Sequence, residues 1–270
     1  PKLPSRPELR GQEWTSYDGK VMPWKEWPVA KGKKPQAIVI AVHGLSGATS
    51  DFWPLGEHLP KTGVAVYAYE LRGQGNDPDK AARGDIANVT QWLRDLRTFH
   101  SLVKARHPGV PIVWYGESLG SLIALHSFDA PEVQPDALIL ASPLAGIRMK
   151  ISAGQRWAII ATSRVLPRLA FKLGTFGGLD ENKVQVTSQS THGGQMAKTP
   201  HHVDAFSLRL IREISQLLDT NAKAADDIAV PVLFLASPND VVASPQQVQE
   251  LFGDIASKEK GEVPYLPDWD

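Results

Sequence analysis

A mostly parallel α/β sheet flanked by helices, with one long helical insertion, is the fold class this 270-residue chain predicts. Three observations predict it. Apolar runs of four to six residues recur along the chain, segments with helical spacing lie between them, and from about residue 146 to 226 the strand rhythm gives way to helical patterns alone. Continuous apolar runs of that length fit strands covered on both faces. Alternation of such strands with helices builds parallel sheets through right-handed crossovers.

The first element is an antiparallel hairpin at the sheet edge, from Trp14 to Trp27 with Asp18-Gly19 as its turn. Core strands follow at Ala37-Ile38-Val39-Ile40-Ala41-Val42 and Val64-Ala65-Val66-Tyr67-Ala68-Tyr69. Ile86, Val89, Leu93, Leu96 and Val103 then mark one face of a helix that stops at His107-Pro108-Gly109. Ile112-Val113-Trp114-Tyr115 reads as a strand, Ser118 to about Phe128 as a helix, and Ala137-Leu138-Ile139-Leu140 as another strand. Inside the insertion Val203, Phe206, Leu210, Ile214 and Leu217 recur at helical spacing, and Val232-Leu233-Phe234-Leu235 resumes the sheet. The expected organisation is an α/β core at 1–145 and 227–270, its C-terminal end incomplete, interrupted by a helical cap at 146–226.

Composition narrows the function. With 42% hydrophobic residues the chain can bury a full core. Twenty-nine basic residues balance twenty-nine acidic ones with no basic stripe, which speaks against nucleic acid and for a neutral or amphiphilic small molecule. The absence of cysteine excludes disulfides, thiol catalysis and thiolate zinc sites. No apolar stretch approaches the roughly 20 residues that span a bilayer, so no transmembrane segment and a soluble protein are expected. The first residue is Pro1, which fits removal of a preceding leader; cytoplasmic and extracytoplasmic locations both stay open.

Four loops follow four of the strands, and in open α/β sheets ligand sites collect at the strands' carboxyl ends. The third loop carries Gly116-Glu117-Ser118-Leu119-Gly120 between a strand and a helix. A serine hydroxyl is a poor nucleophile unless a tight turn holds it clear of the sheet, facing a base and backbone donors. Ser118 is the candidate nucleophile, with Gly116 and Gly120 leaving room for the turn and Glu117 completing it. Acyl transfer also needs donors aimed at the developing oxyanion. Leu119 N–H follows the nucleophile, and the first loop, His43-Gly44-Leu45-Ser46-Gly47, offers Leu45 N–H, with His43 and Gly44 as loop support. Asp240, in Ser237-Pro238-Asn239-Asp240, would orient and charge-stabilise a histidine. In the second loop, Leu71-Arg72-Gly73-Gln74-Gly75, Arg72 and the glycines read as structural, and Asp77 and Asp79 as solvated.

Together His43-Gly44-Leu45-Ser46, Leu71-Arg72-Gly73-Gln74-Gly75, Gly84-Asp85-Ile86, Gly116-Glu117-Ser118-Leu119-Gly120 and Asp240-Val241-Val242 resemble the α/β-hydrolase family, in particular its monoacylglycerol lipase and lysophospholipase-like branch of serine esterases. The resemblance runs from about Trp14 to the end of the chain. It implies the α/β-hydrolase fold, Ser118 as nucleophile, Asp240 as triad acid, Leu45 and Leu119 as oxyanion donors, and an acyl-enzyme route without metal or organic cofactor. The chain departs from the branch at Gln74, where histidine is common, and at its end, because no histidine follows His202. Residues 261–270 resemble the last strand and the turn that delivers the triad histidine. The expectation is that this base stands just beyond Asp270, the chain ending there by truncation, processing or division into a separate C-terminal fragment. The competing reading is a binding protein that keeps the pocket and lacks the base. His192, His201 and His202 read as polar cap surface rather than metal ligands, since adjacent histidines diverge and no carboxylate stands at a clear ligand spacing. From Arg148 to Gly174 apolar residues interleave with six cations, which suits both packing on the sheet and contact with a lipid surface. The expected substrates are esters with an apolar acyl chain.

Overall fold

The computed structural model describes residues 6–146, 152–172, 199–240 and 242–264. Among them, nine strands form one sheet in the order β1-β2-β3-β5-β4-β6-β7-β10-β11. The edge strands β1 (Glu8–Arg10), β2 (Glu13–Thr15) and β3 (Val21–Trp27) are antiparallel, and β2 and β3 form the hairpin read from the sequence. From β5 onwards every pair is parallel: β4 (Ala37–Val42), β5 (Val64–Tyr69), β6 (Ile112–Glu117), β7 (Ala137–Ala141), β10 (Val232–Ala236) and β11 (Lys260–Pro264). The continuous apolar runs are explained by cover on both faces. Ile38, Ile40 and Val42 join the main core, whereas Val39 and Ala41 pack with Phe52, Val66 and Ala68 on the other side.

The second face is closed by a 3-10 turn at Thr49–Phe52 and by α1 (Trp53–His58). The first is covered by α2 (Thr90–Arg106) and α3 (Leu119–His126). The α2 apolar residues Trp92, Leu93, Leu96, Phe99 and Val103 are all buried. Its start lies four residues later than the apolar spacing from Ile86 predicts. Ile86 and Val89 are buried in the preceding turn instead, where Glu213 accepts the Val89 N–H and Asn88 Oδ1 accepts the Thr90 N–H.

Between β7 and β10 the described elements are α4 (Ala153–Val165), β8 (Ala170–Lys172), β9 (Ala205–Ser207), α5 (Leu208–Leu218) and α6 (Asn221–Asp226). The purely helical reading of this stretch is corrected here. Phe206 lies in β9, paired antiparallel with β8, and Val203 precedes it. Ser207 Oγ then accepts the Leu210 N–H and caps α5, so the helical period begins only at Leu208. The last helix, α7 (Pro245–Asp254), is capped by Ser244 and leads into β11, the edge strand expected from the tail.

The topology places the site. From β4 the chain turns to β5 on one side, and from β6 it continues to β7 on the other, so adjacent β4 and β6 send their loops apart. The crevice outside their carboxyl ends is a topological switch point. Glu117, Ala141 and Leu235 lie in one register row across β6, β7 and β10, which brings the loops after β6 and β10 to the same edge, two strands or about 10 Å apart.

Candidate active site

Ser118 stands between β6 and α3 at φ 51° and ψ −114°. A residue with a Cβ pays on the order of 1–3 kcal/mol for such a backbone, so the surroundings must impose it. Ser118 N–H donates to Ala141 O (3.0 Å), while Ser118 O accepts from Ser121 N–H (3.0 Å) and Ser121 Oγ (2.5 Å). Ser121 Oγ in turn accepts the Leu144 N–H from the loop after β7. The flanking glycines are dictated by space. A Cβ on Gly120 would lie 1.9 Å from Val42 O, and one on Gly116 would lie 2.5 Å from Gly120 O. Ser118 itself is half-buried, and among the described residues its Oγ has no hydrogen-bond partner.

The loop after β4 lies directly against it. A Cβ on Gly44 would come within 3.2 Å of Ser118 Cβ and 3.7 Å of its Oγ. Gly44 O is pinned from two sides, by Gly47 N–H at 3.1 Å and by His43 Nδ1 at 2.9 Å. In a trans peptide the N–H points opposite to the C=O, so fixing Gly44 O aims the Leu45 N–H the other way. That N–H has no partner among the described residues, nor has the N–H of Leu119, which as the first residue of α3 has none inside its helix. His43 is fully buried, and its Nε2 accepts the Leu71 N–H (3.0 Å). Nε2 therefore carries no proton and Nδ1 donates to Gly44 O, which makes His43 a loop support with both nitrogens occupied.

Glu117 is partly buried beside Ser118. Burial, and then the charge of Asp51, push its carboxyl above the ordinary carboxylate range. Asp240 is half-buried after β10, and its Oδ1 accepts from Val242 N–H (2.8 Å) and Ala243 N–H (2.9 Å), an Asx-type turn. Between the start of the same loop, α7 and β11 a cavity of about 440 Å³ is lined by Ser237, Pro238, Gln246, Gln249 and Glu262, among others. Thus the structure gathers Ser118, Gly44, Leu45 and Leu119 in one place and sets Asp240 on the same edge.

Other readings need correcting. Asp77 is fully buried and accepts from Gly73 N–H, Asp79 N–H and Lys20 Nζ, so it ties the second loop together; Asp79 is exposed. Arg72 is structural as read, held by Asp95 and Asp18. His201 is buried, 3.8 Å from Asp51, and His202 Nδ1 lies 3.2 Å from Ser46 Oγ, so this pair packs on the loop after β4 rather than on a polar surface. Glu70, which no motif singled out, accepts Thr49 N–H and Oγ1 and Asn76 N–H from inside the same network. His58, His100, His107 and His126 are engaged elsewhere, with Pro54 O, Trp114, Tyr67 and Asn221. His192, Val241 and the residues from 265 on lie outside the described residues. Among the described residues no group of three or more His, Asp and Glu is placed to hold a metal ion, and no helix is long and apolar enough to cross a membrane.

The family model described as "Serine aminopeptidase, S33" (Hydrolase_4) matches residues 33–267. The chain belongs to this family. Relatives of similar sequence include the phospholipase YtpA of Bacillus subtilis, 24% identical over 234 residues covering 85% of this chain and 86% of that protein. The match to the monoacylglycerol lipase of Mycolicibacterium smegmatis is shorter, 24% over 136 residues, spanning 50% of this chain and about half (46%) of that relative. In three dimensions the chain is similar to a soluble variant of the monoglyceride lipase of Saccharomyces cerevisiae solved with a substrate analogue, with a TM-score of 0.78 and 22% identity over 97% of this chain and 86% of the other. The fold is the α/β-hydrolase fold, and as a Hydrolase_4 member the chain is a hydrolase that is similar in sequence to phospholipases and lipases.

Proposed function

We propose that the protein is a serine carboxylic-ester hydrolase for esters with an apolar acyl chain, such as monoacylglycerols or lysophospholipids. Ser118 attacks the ester carbonyl, the Leu45 and Leu119 N–H groups receive the oxyanion, the alcohol leaves, and water resolves the acyl-enzyme. Asp240 orients and charge-stabilises the histidine base of the triad. The strand β11 runs parallel to β10 with Pro264 beside Ala236, at the same edge as Asp240. The described elements of the 146–226 insertion serve as a cap over the acyl pocket in this reading. The exposed Trp157, Val165, Leu166 and Leu169 in this stretch suit a lipid surface. One observation carries the reading: the strained Ser118 elbow has the loop after β4 laid against it, with two backbone N–H groups that have no partner among the described residues.

A second reading, a binding protein that keeps the pocket without the base, is favoured by the histidines, since each of the seven described ones is held by a partner of its own. Hydrolysis of p-nitrophenyl esters from acetyl to palmitoyl separates the two, comparing the intact gene product, its Ser118→Ala variant and the 270-residue chain. Turnover by the intact product, lowered at least about 10⁴-fold by Ser118→Ala, supports the esterase. Absence of turnover in every form, on these esters and on monoacylglycerols and lysophospholipids, supports the binding protein.

A further inference from the structure

Ser46 follows Leu45 and has φ 60°, a left-handed backbone that a residue with a side chain rarely adopts. It is the third residue of the turn closed by Gly47 N–H on Gly44 O, the place where glycine is favoured when φ is positive. Nothing local explains a serine there. Two distant segments do. Ser46 N–H donates to Gln74 Oε1 (2.9 Å) from the loop after β5. Ser46 Oγ accepts the Val203 N–H (2.8 Å) and lies 3.2 Å from His202 Nδ1, both from the segment that leads into β9. Gln74 is fully buried, and its only side-chain hydrogen bond among the described residues is the one to Ser46.

These bonds form one chain of cause. The ties hold Ser46 left-handed, its backbone brings Gly47 N–H to Gly44 O, and the pinned Gly44 carbonyl aims the Leu45 N–H. We propose that Ser46, Gln74 and His202 are positioning residues that fix the Leu45 N–H on the oxyanion, so that the segment carrying His202 governs turnover rather than substrate affinity. The proposal rests on the ester-hydrolase reading. Leu45 acts only once charge develops on the substrate oxygen, so loosening it lowers kcat and leaves KM in place.

The test compares Gln74→Leu, His202→Ala, Ser46→Gly and the double variant Ser46→Gly/Gln74→Leu in the intact gene product. Loss of a well-aimed oxyanion donor costs about 10²–10³ in kcat, so misaiming one should cost about tenfold in Gln74→Leu and less in His202→Ala, with KM within about twofold. Affinity for a trifluoromethyl ketone, which forms a tetrahedral adduct with the nucleophile, falls in parallel. Glycine adopts positive φ without help, so the double variant recovers part of the Gln74→Leu loss, a rescue that a merely structural role of Gln74 would not give. Unchanged kcat and ketone affinity in Gln74→Leu and His202→Ala, or no rescue by glycine, overturns the proposal. Failure of the wild type to turn over acyl esters or to take a fluorophosphonate label on Ser118 instead sinks the ester-hydrolase reading. The holding role is then judged by amide hydrogen exchange at Ser46 and Gly47: faster exchange in the variants supports it, and unchanged exchange overturns it.

Discussion

Around Ser118 each loop is held by a bond to a neighbouring loop: Ser118 N–H on Ala141 O, Leu71 N–H on His43, Ser46 N–H on Gln74, Thr49 N–H on Glu70. At the other end of the same edge, after β10, Asp240 is half-buried and accepts from Val242 and Ala243 two and three residues away, and a cavity opens between Ser237-Pro238 and α7. The difference teaches which part of the site is set by the fold alone. The proposed nucleophile and oxyanion donors follow β6 and β4, packed at the centre of the sheet. The proposed acid follows β10, next to the edge strand β11. Preorganised donors retain residual catalysis when a triad member is lost, so the two ends should fail separately.

Of the changes that set the two ends apart, Asp240→Asn gives the largest effect. It keeps the shape of the turn and removes the charge, and kcat of the intact gene product should fall about 10³–10⁴-fold with the melting temperature nearly unmoved. A loss below tenfold in steady-state ester hydrolysis would remove Asp240 from the triad. Gly44→Ala strikes the other end. Its Cβ would sit 3.2 Å from Ser118 Cβ, closer than side chains ordinarily pack, so the loop must shift by a few tenths of an ångström. Displacement on that scale should lower kcat about tenfold. Wild-type kinetics in this variant would show the loop to be more pliable than its hydrogen bonds indicate.

Much of this arrangement was legible in the sequence because its signals are local. The apolar runs gave five of the six parallel strands, the sixth being expected only from the resemblance of the tail, and Gly116-Glu117-Ser118-Leu119-Gly120 gave a strand-to-helix turn in which both glycines prove sterically required. What escaped are pairings between distant segments. Phe206 fits a helical period with Leu210, yet the hydrogen bonds of β8 place it in a strand. Asp77 reads as a loop carboxylate until Gly73 and Lys20 surround it, and nothing in the spacing of His201 and His202 tells that they meet the loop after β4. Gln74 showed only as a departure from a familiar motif. Its bond to Ser46 gives that departure a physical role.

Buried titratable groups extend the contrast to stability. His100, buried on α2 against Trp114, is shifted down to about 4 by burial and then by Lys104. Unfolding lets it take up a proton already near pH 6.5, so its neutral form supports the fold fully above that pH, and the support fades as pH falls towards 4. The loss amounts to about 3 kcal/mol across this window. His100→Gln keeps an acceptor for the Trp114 N–H without titrating. Denaturant melts at pH 7 and pH 4.5 should therefore show a smaller acid-side loss in the variant, and equal losses would mean that His100 does not set it.

Glu117 runs the opposite way and has the smallest effect. Burial, then Asp51, raise its carboxyl above the usual range, so the protonated form suits the folded protein and ionisation costs stability. Below the ordinary carboxyl pKa both states are protonated and no cost arises; as pH rises through the folded value the cost appears in full. Glu117→Gln, with the same shape and no charge, should melt with the wild type at pH 4 and about 1 °C higher at pH 8. Because Asp51 also faces His201 and accepts the Ala48 N–H, the variant reports whether like charges beside the elbow strain the loop after β4. If the variant instead melts lower at pH 8, Glu117 is held as a carboxylate by partners on the elbow. The nucleophile end would then owe part of its rigidity to charge rather than to packing and backbone hydrogen bonds.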